Sequence, residues 1–225
     1  MPLEQRDLSR MLETAIVAAR LAGQRAMEEI NFIKASIKNS TELVTQADAR
    51  CQEIIIDRIK ENYPDHGFIA EEGHQGKIFK QSPRGDRQFW WAIDPIDGTH
   101  NFAHRLLLFT VSIAVLYEGE PIVGVIFEPA TDSMYTAVKG GEAQLNNRRI
   151  TAGEAAMDSF SSVGLDSHYD NVPLSRLSAY FGGKECDVLS IRRPYRSLIE
   201  SWRRIIQLLQ FTDRFPSFRV DRHHI

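Results

Sequence analysis

The chain has 225 residues, of which 43% are hydrophobic and 25% charged, and a formal net charge of -3. Its pI is about 6.2 and its mean hydropathy -0.29. That balance suits a globular protein large enough to bury a core without disulfide or metal staples. It argues against nucleic acid as a partner, which would call for a basic excess. No apolar run is long enough for a transmembrane helix, so no membrane association is expected. A small anionic substrate stays open, because a local cationic site needs few groups. Two cysteines, Cys51 and Cys186, without a Cys-x-x-Cys, read as reduced thiols. The N-terminal residues through Asp7 carry early charges and lack the apolar core of a signal peptide. The expected setting is cytoplasmic.

In chain order, Met11, Leu12, Ala15, Ile16, Ala19, Ala22, Ala26 and Ile30 recur at helical spacing and predict a helix over about 7–30. Residues 32–40 read as a short extended or turn segment. A second helix is predicted over 46–62, stopping before Pro64 and Gly67. The period then changes. Residues 67–70 suit a strand, 79–86 suit a loop around Pro83 and Gly85, and 89–93 form an apolar strand ending at Asp94. Three further strands are predicted over 110–117, 122–127 and 134–139, separated by hairpin punctuation, with a turn at Gly140 and Gly141. Helices followed by sequential strands indicate an α+β layered domain.

The densest chemical signal is Asp94-Pro95-Ile96-Asp97-Gly98-Thr99-His100-Asn101-Phe102. Pro95 predicts a turn, Gly98 permits a left-handed backbone, and Thr99 suits the cap of a helix starting near His100. Two carboxylates three residues apart repel unless a cation lies between them, and an oxygen-rich site of this kind suits Mg²⁺. Amides at Gly98 and Thr99 suit a phosphate. A plain surface turn is the competing reading. Glu71 and Glu72 also follow a predicted strand, so the two acidic pairs can converge at one sheet edge. Asp48, near the start of the second helix, reads either as part of that site or as a complement to the helix dipole. His100 and His104 read as surface or helix-side packing.

Residues 43–48 (Leu-Val-Thr-Gln-Ala-Asp), 69–73 (Ile-Ala-Glu-Glu-Gly) and the 91–102 segment together resemble the inositol monophosphatase family, Mg²⁺-dependent and lithium-sensitive. The likeness covers about residues 5–193. It implies an α+β fold, a layered αβαβα sandwich that is incomplete here at the C-terminus. Residues 1–193 would form the metal-phosphatase domain and 194–225 a divergent tail. The resemblance also implies roles. Glu71, Asp94, the Ile96 carbonyl and Asp97 would hold Mg²⁺. Glu71, Ile96, Asp97, Gly98, Thr99 and Lys38 would contact substrate. Thr99 backed by Asp48 would help deprotonate the attacking water, with Glu71 and Glu72 shaping the ion site. The implied assembly is a homodimer, and the implied reaction is hydrolysis of a phosphate monoester such as inositol 1-phosphate.

The family's Trp-Asp element, which supplies a further metal ligand, has no counterpart: the tryptophans are Trp90, Trp91 and Trp202, and Arg203 follows the last. From Pro194 onward there is no Gly, Ala or Lys. This tail reads as a changed reading frame or as a genuine ending with a helix through Leu198, Ile199, Trp202, Ile205, Ile206 and Leu209. Two alternative functions follow. One is a catalytically impaired relative acting through protein contacts. The other is a related phosphatase for histidinol phosphate or a nucleotide 3′-phosphate.

Overall fold

Helix α1 (Gln5–Glu29) has the period expected for it, and its buried face is a stripe of small residues, among them Ala15, Ala18, Ala19, Ala22, Gly23 and Ala26. The structure, a computed structural model, describes residues 3–33, 35–37, 43–73, 77–85, 88–151, 162–165 and 187–190. Small side chains let the α1 backbone approach the sheet closely. A Cβ on Gly23 would stand 2.7 Å from the Phe127 ring. Beside α1 lies α2 (Gln46–Asn62), with the bounds the sequence predicts. The buried Cys51 thiol donates to the Ala22 carbonyl across that contact, at 3.3 Å. Among the described residues, no helix is long and apolar enough to cross a membrane.

Strands β1 (Ala35–Ile37) and β2 (Leu43–Thr45) form a short antiparallel pair leading into α2. The main sheet comprises β3 (Gly67–Ala70), β4 (Phe79–Gln81), β5 (Phe89–Asp97), β6 (Thr110–Tyr117), β7 (Glu120–Glu128), β8 (Ser133–Val138), β9 (Gln144–Leu145) and β10 (Arg148–Arg149). Its spatial order is β10-β9-β8-β7-β6-β5-β3-β4. Every neighbouring pair is antiparallel except β3 with β5. Two further strands, β11 (Ser162–Leu165) and β12 (Asp187–Ser190), pair in parallel as a separate sheet.

Alternation along the strands selects one face for the helices. Phe89, Trp91 and Ile93 of β5 are buried, and so are Val111, Ile113 and Val115 of β6. Trp91 lies opposite Val115, and Ile93 opposite Ile113. Helix α1 packs on β6, β7 and β8, and α2 on β5. The architecture is the α+β layering expected.

Four local expectations need correction. The segment 79–86 is not wholly loop: Phe79–Gln81 pairs antiparallel with β3, completing a sheet edge that polar Lys80 concealed in the sequence. Strand β5 does not end at Asp94 but runs to Asp97. Asp94 lies opposite Ser112 and Asp97 opposite Thr110, so Pro95 and Ile96 occupy a bulge. A bulge tolerates the missing proline donor, which is why Pro95 makes no turn. Gly98, with φ +103°, is the residue that enters the short helix α3 (Thr99–Ala103), and Thr99 is its first helical residue rather than its cap. Phe102 then anchors α3 by burial against Phe109, ring centroids 5.0 Å apart.

The end of α2 is closed by an aromatic stack. The His66 ring lies between Tyr63 and Phe89, at 4.7 Å from each. The buried Trp91 Nε1 donates to His66 Nδ1 at 3.0 Å. That bond requires an unprotonated Nδ1 and so a neutral imidazole. Burial pushes the His66 pKa down to about 4 against a small opposing effect of Asp65. A histidine whose folded pKa is depressed contributes stability above its unfolded pKa of about 6.5, and that contribution is lost as pH falls from there towards 4. His66→Phe has no such loss. We therefore expect the urea-midpoint advantage of wild type over His66→Phe to shrink between pH 7.5 and pH 5. An advantage that stays constant over that range would contradict the neutral-histidine assignment.

Candidate active site at the ends of two parallel strands

Parallel pairing of β3 and β5 sends both strands out of the sheet at the same edge. Ala70 lies beside Ile93, and the Glu71 N–H donates to the Ile93 carbonyl at 3.2 Å. Glu71 therefore emerges next to Asp94. Asp97 follows across the bulge, and Gly98 turns the chain into α3. Glu71 is exposed, Asp94 and Asp97 are half-buried, and Ile96 is buried. The Asp94 Oδ1 atom is sealed from solvent.

Helix α2 reaches this edge with its first turn. Asp48 Oδ2 accepts from the Thr45 N–H at 2.8 Å and from the Thr45 hydroxyl at 2.5 Å, a capping-box pairing that fixes the start of the helix. Its other oxygen, Oδ1, lies 3.2 Å from the Thr99 hydroxyl, and the Ile96 carbonyl lies 3.1 Å from the same hydroxyl. The single Thr99 proton thus has two acceptors in reach. Asp48 is 1% exposed. Burial, and to a lesser degree the charge of Glu72, push its pKa from the usual 3.8 up to about 6, against the hydrogen bonds from Thr45 and Thr99. A carboxylate poised near neutrality and bonded to a hydroxyl can accept a proton through that hydroxyl. Asp48 thus bonds Thr45 at the helix start with one oxygen and reaches Thr99 of the 94–102 segment with the other.

One turn further along α2, Gln52 meets the Glu71–Glu72 segment. Its Nε2 donates to the Glu72 carbonyl at 2.6 Å, and its Oε1 accepts from the Glu72 N–H at 2.9 Å. Nothing in the motif pattern of the sequence singles out Gln52. The available signal was its i,i+4 relation to Asp48, which places both on one helix face.

Asp48, Thr99 and Ile96 are joined by hydrogen bonds, and Glu71 is tied to β5. Glu71, Asp94 and Asp97 share one sheet edge, but among the described residues no three His, Cys, Asp or Glu side chains stand close enough to hold a metal ion. The donor set itself, three carboxylates and a carbonyl, consists of the hard oxygens that Mg²⁺ takes, and in that chemical respect the residues fit. His104 is exposed and its Nδ1 lies 2.7 Å from the His100 carbonyl, consistent with helix-side packing. Lys38, Cys186, Trp202 and the tail from 194 lie outside the described residues.

Comparison with known proteins identifies the family and the fold. A family model described as the inositol monophosphatase family matches residues 7–197. The chain is 41% identical over 145 residues to a protein named Nus factor SuhB from Vibrio cholerae, covering 62% of this chain and 51% of the relative. It is 35% identical over 159 residues to an inositol-1-monophosphatase from Rhizobium meliloti, covering 69% of this chain and 58% of the relative. It thus spans little more than half the length of these curated relatives. Among solved structures, an IMPase from Thermotoga maritima is similar, with TM-score 0.67 and 29% identity, covering 82% of this chain and 68% of that one. The SuhB protein of Bartonella henselae shares the fold, with TM-score 0.71 at 24% identity over 86% of this chain and 74% of its own. The chain belongs to the inositol monophosphatase family.

Proposed function

We propose that the edge formed by β3, β5 and the first turn of α2 is a Mg²⁺-dependent phosphatase site for a small phosphate monoester, with inositol 1-phosphate the first candidate. The observation that supports this most is the Thr99 hydroxyl, held between Asp48 Oδ1 and the Ile96 carbonyl beside the acidic pairs. Glu71, Asp94, Asp97 and the Ile96 carbonyl would hold Mg²⁺. Bound there, the ion supplies charge neutralisation and lowers the pKa of water. The chain's own residues do the rest. With its hydroxyl proton directed at Asp48, the Thr99 oxygen would accept a proton from a water while its own proton passes to Asp48, so that one proton leaves the water and one arrives at the carboxylate. The Gly98 and Thr99 amides, with Lys38, orient the phosphate. The same reading carries a cytoplasmic homodimer, whose mass light scattering would measure.

A second reading has one observation in its favour: several relatives of comparable identity are named Nus factor SuhB. The chain would then act through contacts with other macromolecules, with or without catalysis.

Phosphate release from inositol 1-phosphate separates the two readings. Turnover that requires Mg²⁺ and vanishes in Asp94→Asn is the expected result. Folded protein that releases no more phosphate than Asp94→Asn would overturn the enzyme reading for this substrate and favour the second. Histidinol phosphate and adenosine 3′-phosphate in the same assay test the related specificities. Thr99→Ala and Asp48→Asn each remove the proton acceptor route. We expect kcat to fall roughly 10²- to 10⁴-fold in both, with both variants folded by circular dichroism. An unchanged kcat in either would remove the Thr99–Asp48 pair from the mechanism.

A further inference from the structure

Gln52 comes four positions after Asp48, so both project from one face of α2 towards the edge where β3 and β5 end. Asp48 takes hold of the 94–102 segment through Thr99, and Gln52 takes hold of the 71–72 segment. Gln52 is 7% exposed. It bonds the N–H and the carbonyl of one residue, Glu72, and only one orientation of the amide satisfies both. Two bonds to the backbone of one residue fix its orientation as well as its position. Glu71 is held from the other side by its N–H on the Ile93 carbonyl. Gly73 stands hard against the Lys77 carbonyl, 2.2 Å from where a Cβ on it would lie. The Glu71–Glu72 backbone is thus tied to β5 through Glu71 and to α2 through Glu72, although the Glu71 side chain is exposed.

We infer that Gln52 is a positioning residue: its two hydrogen bonds to Glu72 set Glu71 at a fixed distance from Asp94, with α2 as the rigid spacer between the two acidic segments. This rests on the proposed metal role of Glu71. Groups that orient a ligand from behind cost about 10- to 100-fold in metal affinity when removed. The role differs from general packing, because an apolar side chain of similar size fills the same space without orienting the backbone of Glu72.

The test uses the full chain and two readouts. Gln52→Leu removes both hydrogen bonds. Ile55→Val, a buried change on the same helix, is the control for general loosening. Mn²⁺ binding, followed by electron paramagnetic resonance, should weaken at least about tenfold in Gln52→Leu and by less than threefold in Ile55→Val. Hydrogen exchange at the Glu72 amide should quicken at least about tenfold in Gln52→Leu and stay unchanged in Ile55→Val. Unaltered exchange at Glu72 in Gln52→Leu, or equal loss of Mn²⁺ affinity in both variants, overturns the proposal. Wild type that binds no Mn²⁺ overturns the metal role of Glu71 and, with it, the ligand-positioning role of Gln52. Quickened exchange at Glu72 in that case would show that the two hydrogen bonds fix the backbone alone.

Discussion

A carboxylate taken out of water is expensive, and the proposed site depends on how this chain manages that cost at Asp48. The desolvation penalty for such an ion is several kcal/mol. Three donors answer it: the Thr45 N–H, the Thr45 hydroxyl and the Thr99 hydroxyl. They do not answer it fully. The rise of the pKa from 3.8 to about 6 amounts to about 3 kcal/mol of unrelieved preference for the neutral acid. A raised folded pKa means that this group stabilises the fold most below its unfolded pKa and loses that contribution as pH rises through 6. At neutral pH the protein thus carries a carboxylate under tension, tolerated because α2, β2 and the 94–102 segment over-determine its place.

The remaining architecture brings rigid elements to that carboxylate. The small-residue stripe of α1 lets the helix lie close on β6 and β7, and α2 is seated beside it. Alternation on β5 and β6 turns Trp91, Ile93 and Val115 towards the helices. The bulge at Pro95 and Ile96 then breaks the alternation and re-aims the strand end. Past the bulge, the Ile96 carbonyl lies 3.1 Å from the Thr99 hydroxyl.

Much of this was legible in residue order. The 3.6-residue period marks α1 and α2, and alternation with Gly and Pro punctuation marks β6 to β8. The 94–102 run and Glu71–Glu72 mark the sheet edge at which the site is proposed. What the residues could not reveal is non-local pairing. Phe79–Gln81 is a strand only because β3 offers it an edge, and Lys80 gives it a polar look. The reach of β5 to Asp97 depends on Thr110 across the sheet. The Gln52 contacts depend on how α2 sits over β3. Thr99 suits a helix cap by residue type, but its hydroxyl has Asp48 and the Ile96 carbonyl in reach instead.

The proposed account centres on a hard-cation site at the end of β3 and β5. The most direct measurement is an anomalous difference map from crystals grown with Mn²⁺ in place of Mg²⁺. The account predicts a peak bounded by Asp94, Glu71 and the Ile96 carbonyl. A map with no peak at that edge, or with its principal peak elsewhere on the chain, would contradict it.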